Sequence, residues 1–284
     1  MTSNIITSDE KSKKCAPHLS FENGSCMSVE LLYKIAEAYN KDNNNNKINL
    51  DKSALLNRKN EYKQYLLEEL KKNIKENQTK WIKQKFIKNL SKKDKEELEF
   101  GVFRPDGPQG QFDWLSTLDI NYTMMQYENK YPDFKFLGAV PIDFNELDYY
   151  PFKTMNFDDF SKINKTKLGV IFNLDKHNQG GSHWVSLFVD LQKGQIYFSD
   201  SVGIVPRKEI KDFMNRIKSY LEKKNIKVDM RYNETSHQKG NTECGVYSIN
   251  WILRLLKGKT FEHLTRKRLT DDQVNKCRLV YFKK

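Results

Sequence analysis

The chain has 284 residues, with 17 Phe and 14 Tyr among its apolar residues, enough to bury the core of one large domain or two modest ones. Its net charge of +12 is spread evenly, with 20 Lys/Arg against 15 Asp/Glu in residues 1–100 and 29 against 22 beyond; this interleaved pattern is a solvated surface with weak nucleic-acid contact at most, not a nucleic-acid groove. No apolar run approaches the ~18 residues of a membrane span, the polar N-terminus is unlike a secretory signal, and four irregularly spaced cysteines make neither a disulfide framework nor a four-thiolate zinc site, which points to a reducing compartment.

Residues 1–27 read as a flexible N-terminal segment. Within it, Cys15, His18 and Cys26 are three soft ligands, one short of a structural zinc set. Pro17 interrupts the short spacing and Asn23-Gly24 marks a turn, so packing of two half-buried cysteines is the simpler expectation. Ser28 is an N-cap ahead of Leu31, Leu32, Ile35, Ala36 and Tyr39 at helical spacing. The polar run 41–47 separates this helix from a second stripe through Leu55, Leu56, Tyr62, Leu66, Leu67, Leu70 and Ile74. A third stripe contains Trp81, Ile82, Phe86, Ile87 and Leu90. Residues 28–100 therefore form a helical accessory domain without evident chemistry.

Residues 101–284 form the second domain. After a turn-rich connector at 104–110, Asp113-Trp114-Leu115 opens a helix reaching about Lys130. Strands are expected at 134–144, 167–174, 184–189 and 195–198. A Gly180-Gly181 turn precedes the third strand and a hairpin turn at 190–194 joins the last two. Pro206 opens an amphipathic helix through Ile210, Phe213, Met214, Ile217 and Leu221, and 226–228 reads as a further strand. Ile249, Ile252, Leu253 and Leu256 mark a buried helix. Thr270 and Gln273 have capping-box spacing and start a terminal helix carrying Val274, Cys277 and Tyr281 on one side, with Cys277 as a packed thiol. The class is α+β, a central sheet between helices.

The chemistry converges on Cys244. Asn241 or Thr242 can cap the helix behind it, placing the sulfur near the positive end of the helix dipole, which favours a thiolate. Gly245 lets a substrate backbone approach. Taken alone, the segment is equally a buried, inert cysteine. His183, at the start of a strand, can act as a base. If the strands at 184–189 and 195–198 pair, His183 and Asp200 become neighbours at their outer ends. Asp200 then accepts the second ring N–H of His183. Gln238 supplies an amide donor for an oxyanion, and His237 beside it is a weaker candidate base.

His183-Trp184, Asp200-Ser201, Gln238 and Cys244-Gly245, in this order, resemble the SUMO-protease (ubiquitin-like protease) superfamily of cysteine peptidases. Asp113-Trp114-Leu115 is similar to that family's upstream tryptophan motif. Cys15 to Leu19, the run from Gln238 through Glu243-Cys244-Gly245, and Leu269-Thr270-Asp271 resemble more closely its viral branch, the polyprotein-processing proteases of African swine fever virus and giant viruses. The resemblance implies a papain-like peptidase fold and a His183, Asp200 and Cys244 triad with Gln238 at the oxyanion. It also implies that Trp114 and Trp184 wall a passage that admits a Gly-Gly backbone. No metal or organic cofactor is implied. The expected substrates are viral structural precursors cut after Gly-Gly, in the virion and in the host cytoplasm. Removal of ubiquitin-like modifiers, or a non-catalytic basic scaffold role, are the alternatives.

Overall fold

The computed structural model describes residues 14–108 and 113–283; the expected tail before Lys14 and part of the 104–110 connector lie outside them. The chain divides into two compact units that meet in sequence at Pro105 and Asp106.

The first unit has its own core. Helix α1 (Val29–Asp42) begins where expected, with Ser28 Oγ accepting the Leu31 N–H, and buries Leu31, Leu32, Ile35, Ala36 and Tyr39. The second stripe is two helices, α2 (Ala54–Asn57) and α3 (Lys59–Ile74), broken at Arg58. Leu56, expected on a packing face, is 80% exposed. The third stripe is not α-helical. It folds as two 3-10 segments, Gln78–Lys83 and Lys85–Asn89, because its N–H groups reach carbonyls three residues back, as from Lys80 to Asn77 and from Ile87 to Gln84. A short helix, α4 (Lys92–Glu96), follows.

Two expectations for the N-terminal segment are overturned here. Cys15 and Cys26 are joined in a disulfide rather than packed as free thiols. The turn at Asn23 and Gly24, both with positive φ, folds the intervening chain back until the two Cα atoms lie 5.4 Å apart. Neither sulfur is then a thiolate ligand, and the inference of a reducing compartment loses its basis. From Cys15 onward the segment is also not a flexible tail. Cys15, Ala16, Cys26 and Met27 are buried, and Cys15 bridges antiparallel to Phe103.

The second unit is built on a five-stranded sheet in the order β1-β2-β3-β4-β5. The strands are β1 (Phe134–Pro141), β2 (Lys167–Asn173), β3 (Trp184–Asp190), β4 (Gln195–Ser199) and β5 (Asp229–Tyr232). The central β3 pairs antiparallel with both β2 and β4, while β1 and β5 pair parallel with β2 and β4 at the edges. The last strand begins three residues later than expected. Asn225 takes a left-handed φ as the chain leaves the preceding helix, and pairing starts only where the Asp229 N–H reaches the Gly194 carbonyl.

Every residue of β3 is buried, and its alternation sorts side chains to two faces. Trp184 and Phe188 join one core with α5 (Thr117–Lys130) and α8 (Cys244–Leu256). Val185, Leu187 and Val189 join the other with α7 (Lys208–Lys223). Between β1 and β2 the chain forms α6 (Phe157–Lys162). Helix α7 is amphipathic and buries Ile210, Phe213, Met214, Ile217 and Leu221. Helix α8 is buried along its whole length, as expected of an apolar helix covered by a sheet and by other helices. The α+β class with a sheet between helices therefore holds.

Two helix boundaries differ from expectation. Helix α5 starts at Thr117, because Ser116 and Asp119 form a reciprocal capping box; Asp113 to Leu115 precede it outside any helix or strand. After α9 (Phe261–Arg266), the terminal helix is split into α10 (Asp271–Asn275) and α11 (Arg278–Tyr281). The Cys277 N–H tightens onto the Val274 carbonyl at 2.8 Å and interrupts the α-helical ladder. Val274, Cys277 and Tyr281 are nevertheless all buried.

Candidate active site

Cys244 is the first residue of α8 and is 3% exposed. Neither Asn241 nor Thr242 caps this helix. Glu243 stands at the cap position without a side-chain cap bond. The first helical bond runs from the Tyr247 N–H to the Glu243 carbonyl, so the N–H groups of Cys244, Gly245 and Val246 make no intrahelical bond. Such groups at a helix start favour negative charge.

His183 lies at the entry to β3, and its carbonyl accepts the Leu174 N–H. Because β3 and β4 pair antiparallel, the residues beyond their open ends face each other. His183 Nε2 lies 2.7 Å from Asp200 Oδ1. The Cys244 side chain is the other group close enough to act on the ring. Asp200 is 2% exposed, and the same Oδ1 accepts the Val202 N–H at 2.9 Å. Burial alone would lower the pKa of His183. The neighbouring Asp200 and Cys244 outweigh that and raise it to about 9. The structure thus brings His183, Asp200 and Cys244 together in one chain of contacts.

Gln238 is placed differently from a donor simply facing that chain. It is 3% exposed. Its Oε1 accepts the Ser201 hydroxyl at 2.7 Å and its Nε2 donates to the Gly240 carbonyl at 3.0 Å. The Ser201 carbonyl in turn accepts the N–H groups of both His237 and Gln238. The amide is therefore clamped, with a second Nε2 hydrogen still to place. His237 is also buried. Burial, followed by Arg254 and Arg268, lowers its pKa to about 4, which leaves it neutral near pH 7.

Gly245 also answers to packing. A Cβ built there would meet Leu115 side-chain atoms at 3.1 to 3.3 Å. The missing side chain makes room for Leu115. Trp184 is 5% exposed and Trp114 46%. Both line a cleft of about 460 Å³, together with Leu115, Tyr149, His177 and Gly181. His177 Nδ1 lies 2.6 Å from Asp143 Oδ2, a second histidine–carboxylate pair that sequence reading missed.

Sequence reading also missed the residues that brace the cysteine loop. Asp271 accepts the N–H groups of Lys239 and Gly240 and the Tyr247 hydroxyl. Glu243, 2% exposed, accepts from Thr242 and from Asn275 Nδ2. Arg278 links Asn275 to the Asp113 and Thr242 carbonyls. A carboxylate directly beside the cysteine, at the head of an apolar helix, was the available signal for Glu243. Among the described residues no cluster of three or more His, Cys, Asp or Glu is arranged to hold a metal ion, and no helix is long and apolar enough to cross a membrane.

Comparison with known proteins gives this geometry a family. The Ulp1 protease family, C-terminal catalytic domain, matches residues 162–284. A thiol protease of Acanthamoeba polyphaga mimivirus is 37% identical over 273 residues, which is 92% of this chain and 90% of that protein. The SUMO-1 cysteine protease of African swine fever virus is 26% identical over 196 residues, 64% of this chain and 72% of that protein. The crystal structure of the African swine fever virus protease shares the fold, with a TM-score of 0.67 at 22% identity, covering 98% of this chain and 97% of that one. The chain belongs to the Ulp1 protease family and is a cysteine peptidase.

Proposed function

We propose that the chain is an endopeptidase that cuts after Gly-Gly in viral structural precursors, acting in the virion and in the host cytoplasm during infection. The observation that carries this reading is the position of His183, bonded through Nε2 to Asp200 and acted on by Cys244 as well. The Cys244 thiolate attacks the scissile carbonyl carbon, and the oxyanion is met by the Cys244 N–H and by Gln238 Nε2. Protonated His183 gives its Nδ1 proton to the leaving amine. Water then hydrolyses the thioester with His183 as base, which regenerates the thiol. Asp200 holds the ring in the required tautomer throughout.

One feature supports glycine at the site. Trp114 and Trp184 both line the cleft, and flat indoles stack on peptide planes while excluding bulky side chains. Support for viral precursors comes from the relatives, one from mimivirus and one from African swine fever virus.

The test is cleavage of a Gly-Gly-Xaa peptide by the purified protein. Activity that persists in Cys244→Ala would overturn the assignment. The African swine fever virus relative carries SUMO-1 in its name, which supports modifier removal as a second reading. Labelling of Cys244 by a ubiquitin-like modifier ending in a C-terminal aldehyde, without cleavage of short peptides, would favour that reading.

A further inference from the structure

A small cavity of about 20 Å³ lies behind the segment that carries Gln238, bounded by α8 on one side and by Ser199, Ser201 and His237 on the other. Arg254, Trp251 and His237 line it and are 5%, 7% and 6% exposed. Arg254 Nε and Nη2, Trp251 Nε1 and His237 Nε2 have no hydrogen-bond partner in the protein. Four nitrogens on three buried side chains around one cavity are therefore unsatisfied, whereas buried polar atoms are normally paired.

The charge balance is equally one-sided. Arg254 carries a full positive charge, and no carboxylate is among the groups that perturb it. His237 feels Arg254 and Arg268, both cationic. A buried cation without a counter-charge is strongly unfavourable. A water molecule can accept hydrogen bonds but leaves the charge uncompensated. A cavity of this size holds about one water-sized particle, which rules out phosphate and any organic carboxylate.

We propose that this cavity binds one small monovalent anion of chloride size, held by the Arg254 guanidinium, the Trp251 indole N–H and the N–H of neutral His237. The anion ties the far end of α8, the helix that begins with Cys244, to the His237–Gln238 segment. The Ser201 carbonyl already gathers the main-chain N–H groups of that segment. Its effect on catalysis rests on the role given to Gln238 above; its binding does not.

The test uses the full chain. Crystals grown in sodium bromide are expected to show an anomalous peak between Arg254, Trp251 and His237. Thermal unfolding is compared in chloride and in gluconate at equal ionic strength, gluconate being too large for the cavity. The midpoint is expected to rise saturably in chloride. Trp251→Phe keeps the shape and removes a single N–H, so it should weaken the chloride response about tenfold; Arg254→Met should abolish it. Water without bromide in the cavity, or equal midpoints in the two salts, would overturn the proposal. A protein that binds bromide yet fails to cut Gly-Gly peptides would leave the anion site standing and remove the Gly-Gly endopeptidase reading instead.

Discussion

Trp184 donates its indole N–H to the main-chain carbonyl of Leu115 at 2.9 Å, so the tryptophan that follows His183 is tied to the residue that follows Trp114. Leu115 also fills the space beside Gly245. One leucine therefore sets the relation between one wall of the cleft and the start of α8. The two tryptophans should respond differently to truncation. Trp184→Ala removes a buried ring and its hydrogen bond, and should cost about 3–5 kcal/mol of stability in urea unfolding. Trp114→Ala should leave stability within about 0.5 kcal/mol and act instead on KM for Gly-Gly peptides. Equal effects on stability would contradict the exposures found.

Asp200→Asn keeps the size of the side chain and removes its charge. The imidazolium of His183 then loses its counter-ion, and kcat should fall by about 100-fold. Alkylation of Cys244 by iodoacetamide near neutral pH should slow in parallel. A variant with unchanged kcat would place Asp200 in a purely structural role.

Half-buried His183 and buried His237 predict a stability curve with opposed limbs. The pKa of His183 is raised to about 9 from about 6.5 in an unfolded chain, so the folded state binds more protons between those values. Its contribution is complete below pH 6.5 and is lost as pH rises toward 9. The pKa of His237 is lowered to about 4, so its contribution is present above 6.5 and lost as pH falls toward 4. Denaturant midpoints in chloride-free buffer should therefore fall on both sides of neutrality. His183→Ala should flatten the alkaline limb and His237→Gln the acid limb.

The disulfide between Cys15 and Cys26 spans a sequence separation of 11. Closing so short a loop should stabilise the first unit by about 2–3 kcal/mol. Cys26→Ser should lower its thermal midpoint, and reductant should lower the wild type to the same value while leaving the variant unmoved. A reductant effect on the variant would locate the sensitivity elsewhere.

The hairpin that joins His183 to Asp200 was legible because β3 and β4 are short, apolar and separated by a tight turn, so local pattern dictates their pairing. The buried helix behind Cys244 was legible for a similar reason, its apolar residues recurring at helical spacing. The disulfide was not, since nothing in the spacing of Cys15 and Cys26 shows how far the Asn23-Gly24 turn folds the chain back. The clamp of Ser201 on Gln238 and the brace from Asp271, Asn275 and Arg278 were hidden too. They depend on polar side chains brought together from positions 31 to 37 residues apart, and no periodicity marks such contacts. Gly245 gives the converse case. Its small size was noticed, but the neighbour it accommodates, Leu115, lies far away in sequence.

The fates of the four cysteine sulfurs make the molecule countable. Two are consumed in the disulfide. Cys277 is fully covered, and burial raises its thiol pKa to about 11. That leaves Cys244, at the head of α8, as the cysteine for a soft electrophile to label. The stoichiometry of labelling then reads directly as the fraction of correctly assembled molecules in a preparation, and a reporter dye can be placed at that one atom without altering the sequence.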